Sequence, residues 1–221
     1  MLDNYEFTER GAIKQSTYQP YQYNADYLST IYPGGAHKFR YTNFLRLGYV
    51  IGSYGSIPDS ILEVGYGKGY FLEAAAEIIP DVFGYDINNS PLPEKAQRAV
   101  IMDGKHFDVI CFWDALEHFD NLDFLSDLDC NMVVVSLPWC HYDWLEAMDG
   151  EQKADDWFTT WKHRKPDEHL YHFSANALVE TLENYGYELV GLPTNIEDAT
   201  RKGDGVFENI LTAAFRKLPK N

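Results

Sequence analysis

Residues 60–71 read S-I-L-E-V-G-Y-G-K-G-Y-F, and few architectures accommodate such a stretch. Residues 61–64 form a short apolar run of the kind found in a buried strand. Gly65, Gly67 and Gly69 follow at alternate positions, and an apolar-rich helix is expected over 70–79, stopped by Pro80. Strand, glycine turn and helix together bring backbone N–H groups close to whatever lies over the turn. The G-x-G-x-G spacing differs from the G-x-G-x-x-G of dinucleotide folds. Without a G-K-S/T, Lys68 is not a phosphate-loop lysine.

A tight strand–helix junction with no ligand is the plain alternative for such a turn. Two acids weigh against it. Glu63 lies inside the strand, where an uncompensated carboxylate is costly to bury. Asp86 closes a second apolar strand over 82–85, about twenty residues on, at the position from which an acid accepts from ribose hydroxyls.

These residues resemble a known family. E-V-G-Y-G-K-G (63–69) is similar to the first motif of class I S-adenosylmethionine-dependent methyltransferases, and F-G-Y-D-I-N (83–88) to the second. F-D-V-I-C-F-W-D-A-L-E-H-F (107–119) resembles the fourth strand and its exit, where many small-molecule members carry an E-H pair. H-L-Y-H-F-S (169–174) resembles the segment before the last crossover helix, and the likeness spans roughly 58–216.

The resemblance implies an α/β fold. Its seven-stranded Rossmann-like sheet has the order 3-2-1-4-5-7-6, with strand 7 antiparallel. S-adenosylmethionine is the implied cofactor. Glu63, Gly65, Tyr66, Gly67, Gly69, Asp86, Ile87 and Trp113 are its implied contacts. Asp103 is the implied adenine-side acid, with an ordinary D-G turn as the alternative.

The remaining strands follow from local pattern. A short helix is expected at 94–98 and the third strand at 99–102. The fourth strand covers 107–112, and a helix is expected at 121–128. M-V-V-V-S-L (132–137) reads as a buried central strand. Ser174 caps a helix that ends after Tyr185, the sixth strand covers 187–192, and 193–205 reads as a polar surface loop. The last strand, within 206–215, follows that loop without a helix and so pairs antiparallel.

The chain divides by this reading into an N-terminal arm and covering helix (1–57), the cofactor-binding domain (58–216) and a short tail (217–221). The arm carries Tyr5, Tyr18, Tyr21, Tyr23, Tyr27 and Tyr32 with few aliphatic residues. It is either an irregular segment packed on the core or a lid over the acceptor. A helix is expected over 38–51, with Phe44, Leu47 and Ile51 on one face, Arg40 and Arg46 outside it, and Gly52 and Gly55 cutting it. The insert 139–172 holds four of the five tryptophans. It folds down on its aromatics or forms an acceptor-site wall, with an exposed acidic crossing at 150–156.

A net charge of −16 disfavours double-stranded nucleic acid as a partner. Lys162, His163, Arg164 and Lys165 are the one dense basic cluster, a solvated face or a small anion contact. No apolar run suits a membrane span, and the N-terminus lacks secretory-signal character. Cys111, Cys130 and Cys140 lack disulfide or metal spacing, which with the former features suggests a cytoplasmic protein. The histidines show no H-E-x-x-H spacing, and no metal site is expected.

A methyl on a sulfonium is already activated, so the protein must position the acceptor and handle its proton. His118, His169 and His141 are the candidate bases, with Glu117 as an orienting group; packing or helix capping are the alternatives for His118 and Asp114. Oxygen, nitrogen and carbon acceptors all remain open. A small polar metabolite, such as a sugar or nucleotide-sugar, is the leading acceptor expectation. A protein or peptide methyltransferase and a cofactor-binding regulator without turnover are the alternatives.

Overall fold

The computed structural model describes residues 2, 4–17, 39–88, 90–101, 103–203 and 205–219. Tyr18, Tyr21, Tyr23, Tyr27 and Tyr32, which carry the lid expectation, lie outside the described residues.

The arm begins with a hairpin, β1 (Tyr5–Phe7) and β2 (Ile13–Gln15), rather than irregular chain. Helix α1 (Arg40–Tyr54) follows. Next come β3 (Ser60–Val64), α2 (Tyr70–Ala75), β4 (Asp81–Tyr85), β5 (Gln97–Arg98), β6 (Phe107–Trp113) and β7 (Cys130–Pro138). The insert contributes α3 (Tyr142–Asp149), α4 (Glu151–Thr160) and β8 (Tyr171–His172). α5 (Ala175–Asn184), β9 (Tyr187–Thr194) and β10 (Ile210–Lys217) complete the chain.

The main sheet has seven strands in the order β5-β4-β3-β6-β7-β10-β9, which is the expected 3-2-1-4-5-7-6. β3 pairs parallel with β4 and β6, and β6 with β7. β10 runs antiparallel to both neighbours, with Leu211 opposite Leu137 and Phe215 opposite Leu189. A small second sheet, β1-β2-β8, ties the N-terminal hairpin to the end of the insert.

Alternate residues of the central strands enter opposite cores, as a two-sided sheet requires. Leu62, Ile110, Val133 and Val135 pack with Leu178 and Leu182 of α5. Ile61, Val109, Cys111 and Val134 pack with Leu47 and Val50 of α1. Glu63 shares the Ile61 parity and therefore points toward the α1 side. Ser174 Oγ accepts from the Ala177 N–H at 3.2 Å, the expected cap of α5.

Several boundaries differ from the sequence reading. α2 stops at Ala75, and turns carry the chain over 76–78 to Pro80, which bars any helical continuation. No helix covers 94–98, and the third strand is the exposed two-residue edge at β5 rather than 99–102. Such an edge leaves no apolar pattern to read. The stretch 121–128 makes only a 3-10 turn at Asp123–Asp127. α1 runs through Gly52 and ends at Gly55, whose φ of 88° closes an N–H bond to the Ile51 carbonyl at 3.0 Å. Phe44 is about half exposed, whereas Arg46 is drawn inward by carboxylates. The 150–156 crossing is helical and buries Ala154 and Asp155, with Tyr142 donating to Asp155 at 2.8 Å. The 193–205 stretch is not a plain surface loop. Its first two residues extend β9, and its 3-10 turn Ile196–Ala199 buries Glu197 completely.

Candidate active site

The glycine turn leaves β3 at the C-terminal edge of the sheet. Gly65, Gly67 and Gly69 have φ of 77°, 55° and 73°, a region that side chains disfavour. A Cβ at Gly65 would lie 2.9 Å from that of Ala115, and one at Gly69 2.8 Å from Pro93 Cδ. Asp86 fastens the turn to the end of β4: its Oδ2 accepts from the Gly67 N–H and its Oδ1 from the Asn88 N–H, both at 2.8 Å. Tyr66 is buried and its hydroxyl donates to the Ser90 carbonyl, while Ile87 is exposed.

Glu63 is 4% exposed, and its Oε2 has no hydrogen-bond partner among the described residues. Burial pushes its pKa up to about 8; Arg46 opposes the rise and Asp86 adds to it. Trp113 is buried, and its indole N–H is likewise unpartnered among the described residues. It packs edge-on against Phe71 at 5.2 Å and carries the Arg46 guanidinium over its ring at 4.9 Å. A buried acceptor oxygen beside a positive-φ backbone cradle suits a ligand bearing an ammonium group, as the amino-acid end of S-adenosylmethionine does.

Next to Trp113, Asp114 adopts φ 51° and meets two arginines. Arg201 grips it through two bonds of 2.8 Å, and Arg46 Nη2 lies 3.1 Å away. Both arginines also hold Glu197, at 2.8–2.9 Å, and Ser136 Oγ donates to Glu197 at 2.6 Å. Burial alone would raise the pKa of Asp114, but Arg201 and Arg46 hold it well below the usual carboxylate range. The local sequence marks neither Glu197 nor Arg201 as functional, and it places Arg46 on the outer face of its helix. The i,i+4 spacing of Glu197 and Arg201 is the local signal that links two of them.

One turn further on, Glu117 is 1% exposed and neither of its carboxylate oxygens has a hydrogen-bond partner among the described residues. Burial, then Asp114, pushes its pKa up to about 8. His118 and His169 come together, with rings 4.8 Å apart at 83°. His118 Nδ1 lies 2.8 Å from the Glu168 carbonyl, and His169 Nδ1 2.8 Å from the His163 carbonyl. His141 has other company. It stacks between Trp139 (5.3 Å) and Phe207 (5.0 Å), with Nε2 2.9 Å from the Glu208 carbonyl. Asp103 is exposed and accepts from the Lys105 N–H at 2.9 Å in a turn closed by Gly104. The basic cluster turns partly inward: Lys165 pairs with Glu168 at 3.0 Å, and Arg164 lies over the Tyr5 ring at 5.6 Å.

The sequence profile of a methyltransferase domain matches residues 38–192. The chain belongs to that methyltransferase family. It is a class I, Rossmann-like enzyme with S-adenosylmethionine as its cofactor. Among solved structures it resembles the plantazolicin methyltransferase BpumL in complex with SAH, with 18% identity and a TM-score of 0.55. That match covers 89% of this chain and 91% of the other. The magnesium protoporphyrin IX methyltransferase from Synechocystis PCC 6803 with bound SAH is similar at 14% identity and a TM-score of 0.55, over 87% and 93% of the two chains. No curated protein matches the sequence. Among the described residues, no helix of this methyltransferase is long and apolar enough to cross a membrane.

Proposed function

We propose that the C-terminal edge of β3 and β4 holds the cofactor, and that a small-molecule or peptide-derived acceptor lies beside it over the exits of β6 and β7. The observation that carries this reading is the orphaned Glu63 Oε2 beside the Gly65–Gly67–Gly69 cradle. When bound, the cofactor supplies a methyl group already activated by its sulfonium. Glu63 accepts from the ammonium. Asp86 fixes the turn through Gly67 and Asn88 and keeps lone pairs for the ribose hydroxyls. Tyr66 and Trp113 wall the cleft, and the exposed Ile87 side chain offers apolar surface to the adenine. Asp103 is left out of this assignment, because its carboxylate closes its own turn.

On the acceptor side, His118 and His169 are kept neutral, chiefly by burial, and so can receive a proton or bind an electrophile. His141 serves the aromatic stack instead. The relatives support a peptide-derived or flat ring acceptor over a sugar or nucleotide-sugar: BpumL is seen with desmethylPZN analogs, and the second relative is named for magnesium protoporphyrin IX. Methyl transfer from radiolabelled cofactor to parallel panels of heterocyclic peptides, aromatic metabolites and nucleotide-sugars tests the reading. Product among the peptide or aromatic panels is expected. Turnover confined to nucleotide-sugars would reverse the acceptor assignment.

A further inference from the structure

We propose that Glu117, His118 and His169 form a binding site for a divalent transition-metal ion on the acceptor side of the cleft. The proposal rests on the acceptor-side reading above and deepens it. One potential ligand atom from each residue lies within 4.8 Å of the other two. His118 Nε2 stands 4.0 Å from Glu117 Oε1.

The tautomers follow from the backbone. A carbonyl oxygen can only accept, so the Nδ1 atoms facing the Glu168 and His163 carbonyls carry the protons. Each ring therefore presents an unprotonated Nε2. A carbonyl on the far nitrogen is the support that metal-bound histidines need to hold tautomer and orientation. Glu117 adds two carboxylate oxygens that are buried and lack hydrogen-bond partners among the described residues. Two imidazole lone pairs and an unsatisfied carboxylate thus converge, an arrangement that a cation stabilises.

The scaffold brings the two segments together directly. The Leu170 N–H donates to the Glu117 carbonyl at 2.9 Å, and the His169 N–H to the Lys165 carbonyl at 2.9 Å. The nearest cations already have anionic partners: Lys165 pairs with Glu168, and Arg201 with Asp114 and Glu197. Adjacent ligands on an ion with bonds of ~2.1 Å sit ~3 Å apart, so the three side chains must close by about an ångström or more. Two imidazoles with one carboxylate select first-row ions such as Mn²⁺, Fe²⁺, Co²⁺ or Zn²⁺ over Ca²⁺, which takes oxygen ligands. The remaining coordination positions would take acceptor oxygens. A spacing scan misses the site because His169 lies 51 residues after His118.

The test uses the full chain, stripped with chelator and titrated calorimetrically with Mn²⁺ or Co²⁺ alone. One ion per chain is expected. Glu117→Gln and His169→Ala should each weaken binding by at least about tenfold, while His106→Ala, at an exposed position, leaves it unchanged. Pulsed EPR of the Mn²⁺-loaded wild type should show nitrogen coupling from imidazole, a readout that needs no variant. S-adenosylhomocysteine titrations run beside it. Cofactor binding with no ion, or with an ion lacking nitrogen coupling and indifferent to both substitutions, overturns this site alone. Loss of cofactor binding by the wild type overturns the wider reading.

Discussion

Arg46 Nε and Glu197 Oε1 lie 2.8 Å apart across 151 residues of chain. This contact joins α1 to the turn between β9 and β10. Arg201 and Asp114 complete the network. Glu197 is fully buried, so its charge depends on these partners. Removing both arginines' anchor should therefore be costly: Glu197→Ala is expected to lose about 3–5 kcal/mol in urea unfolding. A loss below about 1 kcal/mol would show that the network adds little to the fold.

Gly67→Val should obstruct the glycine turn proposed to hold the cofactor. Gly67 has φ 55° and its N–H is held by Asp86, so a β-branched side chain strains the loop. S-adenosylhomocysteine affinity should fall by at least about tenfold, or ~1.4 kcal/mol. Equal affinity for folded wild type and variant, measured by calorimetry, would move the cofactor elsewhere.

Asp86→Ala removes the acceptor for two backbone N–H groups as well as the expected ribose contact. Cofactor binding should weaken by about 1.5–3 kcal/mol. Binding within about twofold of wild type would reject the assignment.

Glu63 makes the cofactor-free protein sensitive to alkali. Its folded pKa, about 8, lies above the ordinary value of 4.5 because burial disfavours the charge. The native state therefore holds the proton more tightly than the unfolded chain. That contribution is complete below pH 4.5 and is lost as pH rises through 8. Glu63→Gln should be more stable than wild type at pH 9, by about 2–4 kcal/mol, and the gap should vanish toward pH 4.5. Melting temperatures of the two proteins across pH provide the measurement. A difference that does not change with pH would mean that Glu63 is not desolvated.

Among the histidines, His118→Ala and His169→Ala should lose roughly 10²–10⁴ in single-turnover methyl transfer at saturating cofactor. His141→Ala, which opens the Trp139–His141–Phe207 stack, should reduce stability more than the chemical step. Unchanged single-turnover rates in all three variants would leave deprotonation to the acceptor itself.

Local sequence was enough to determine the central parallel strands and the glycine turn, but not the edge strand β5. Strands 61–64, 82–85, 107–112 and 132–137 are short apolar-rich runs, and their length and flanking turn residues favour strands. The glycines at 65, 67 and 69 permit the backbone that the turn adopts. The loop-only connection into β10 determined its antiparallel direction, since a parallel crossover needs a longer path. Tertiary structure decided where charge is buried. Arg46 reads as the outer face of a helix and Glu197 as a surface loop, because each is polar and neither carries its partner nearby in the chain. Their burial follows from meeting each other, Asp114 and Arg201 in space. The pairing of His118 with His169 has the same origin: the Leu170–Glu117 backbone bond sets two distant segments side by side, and no periodicity within either segment encodes that contact.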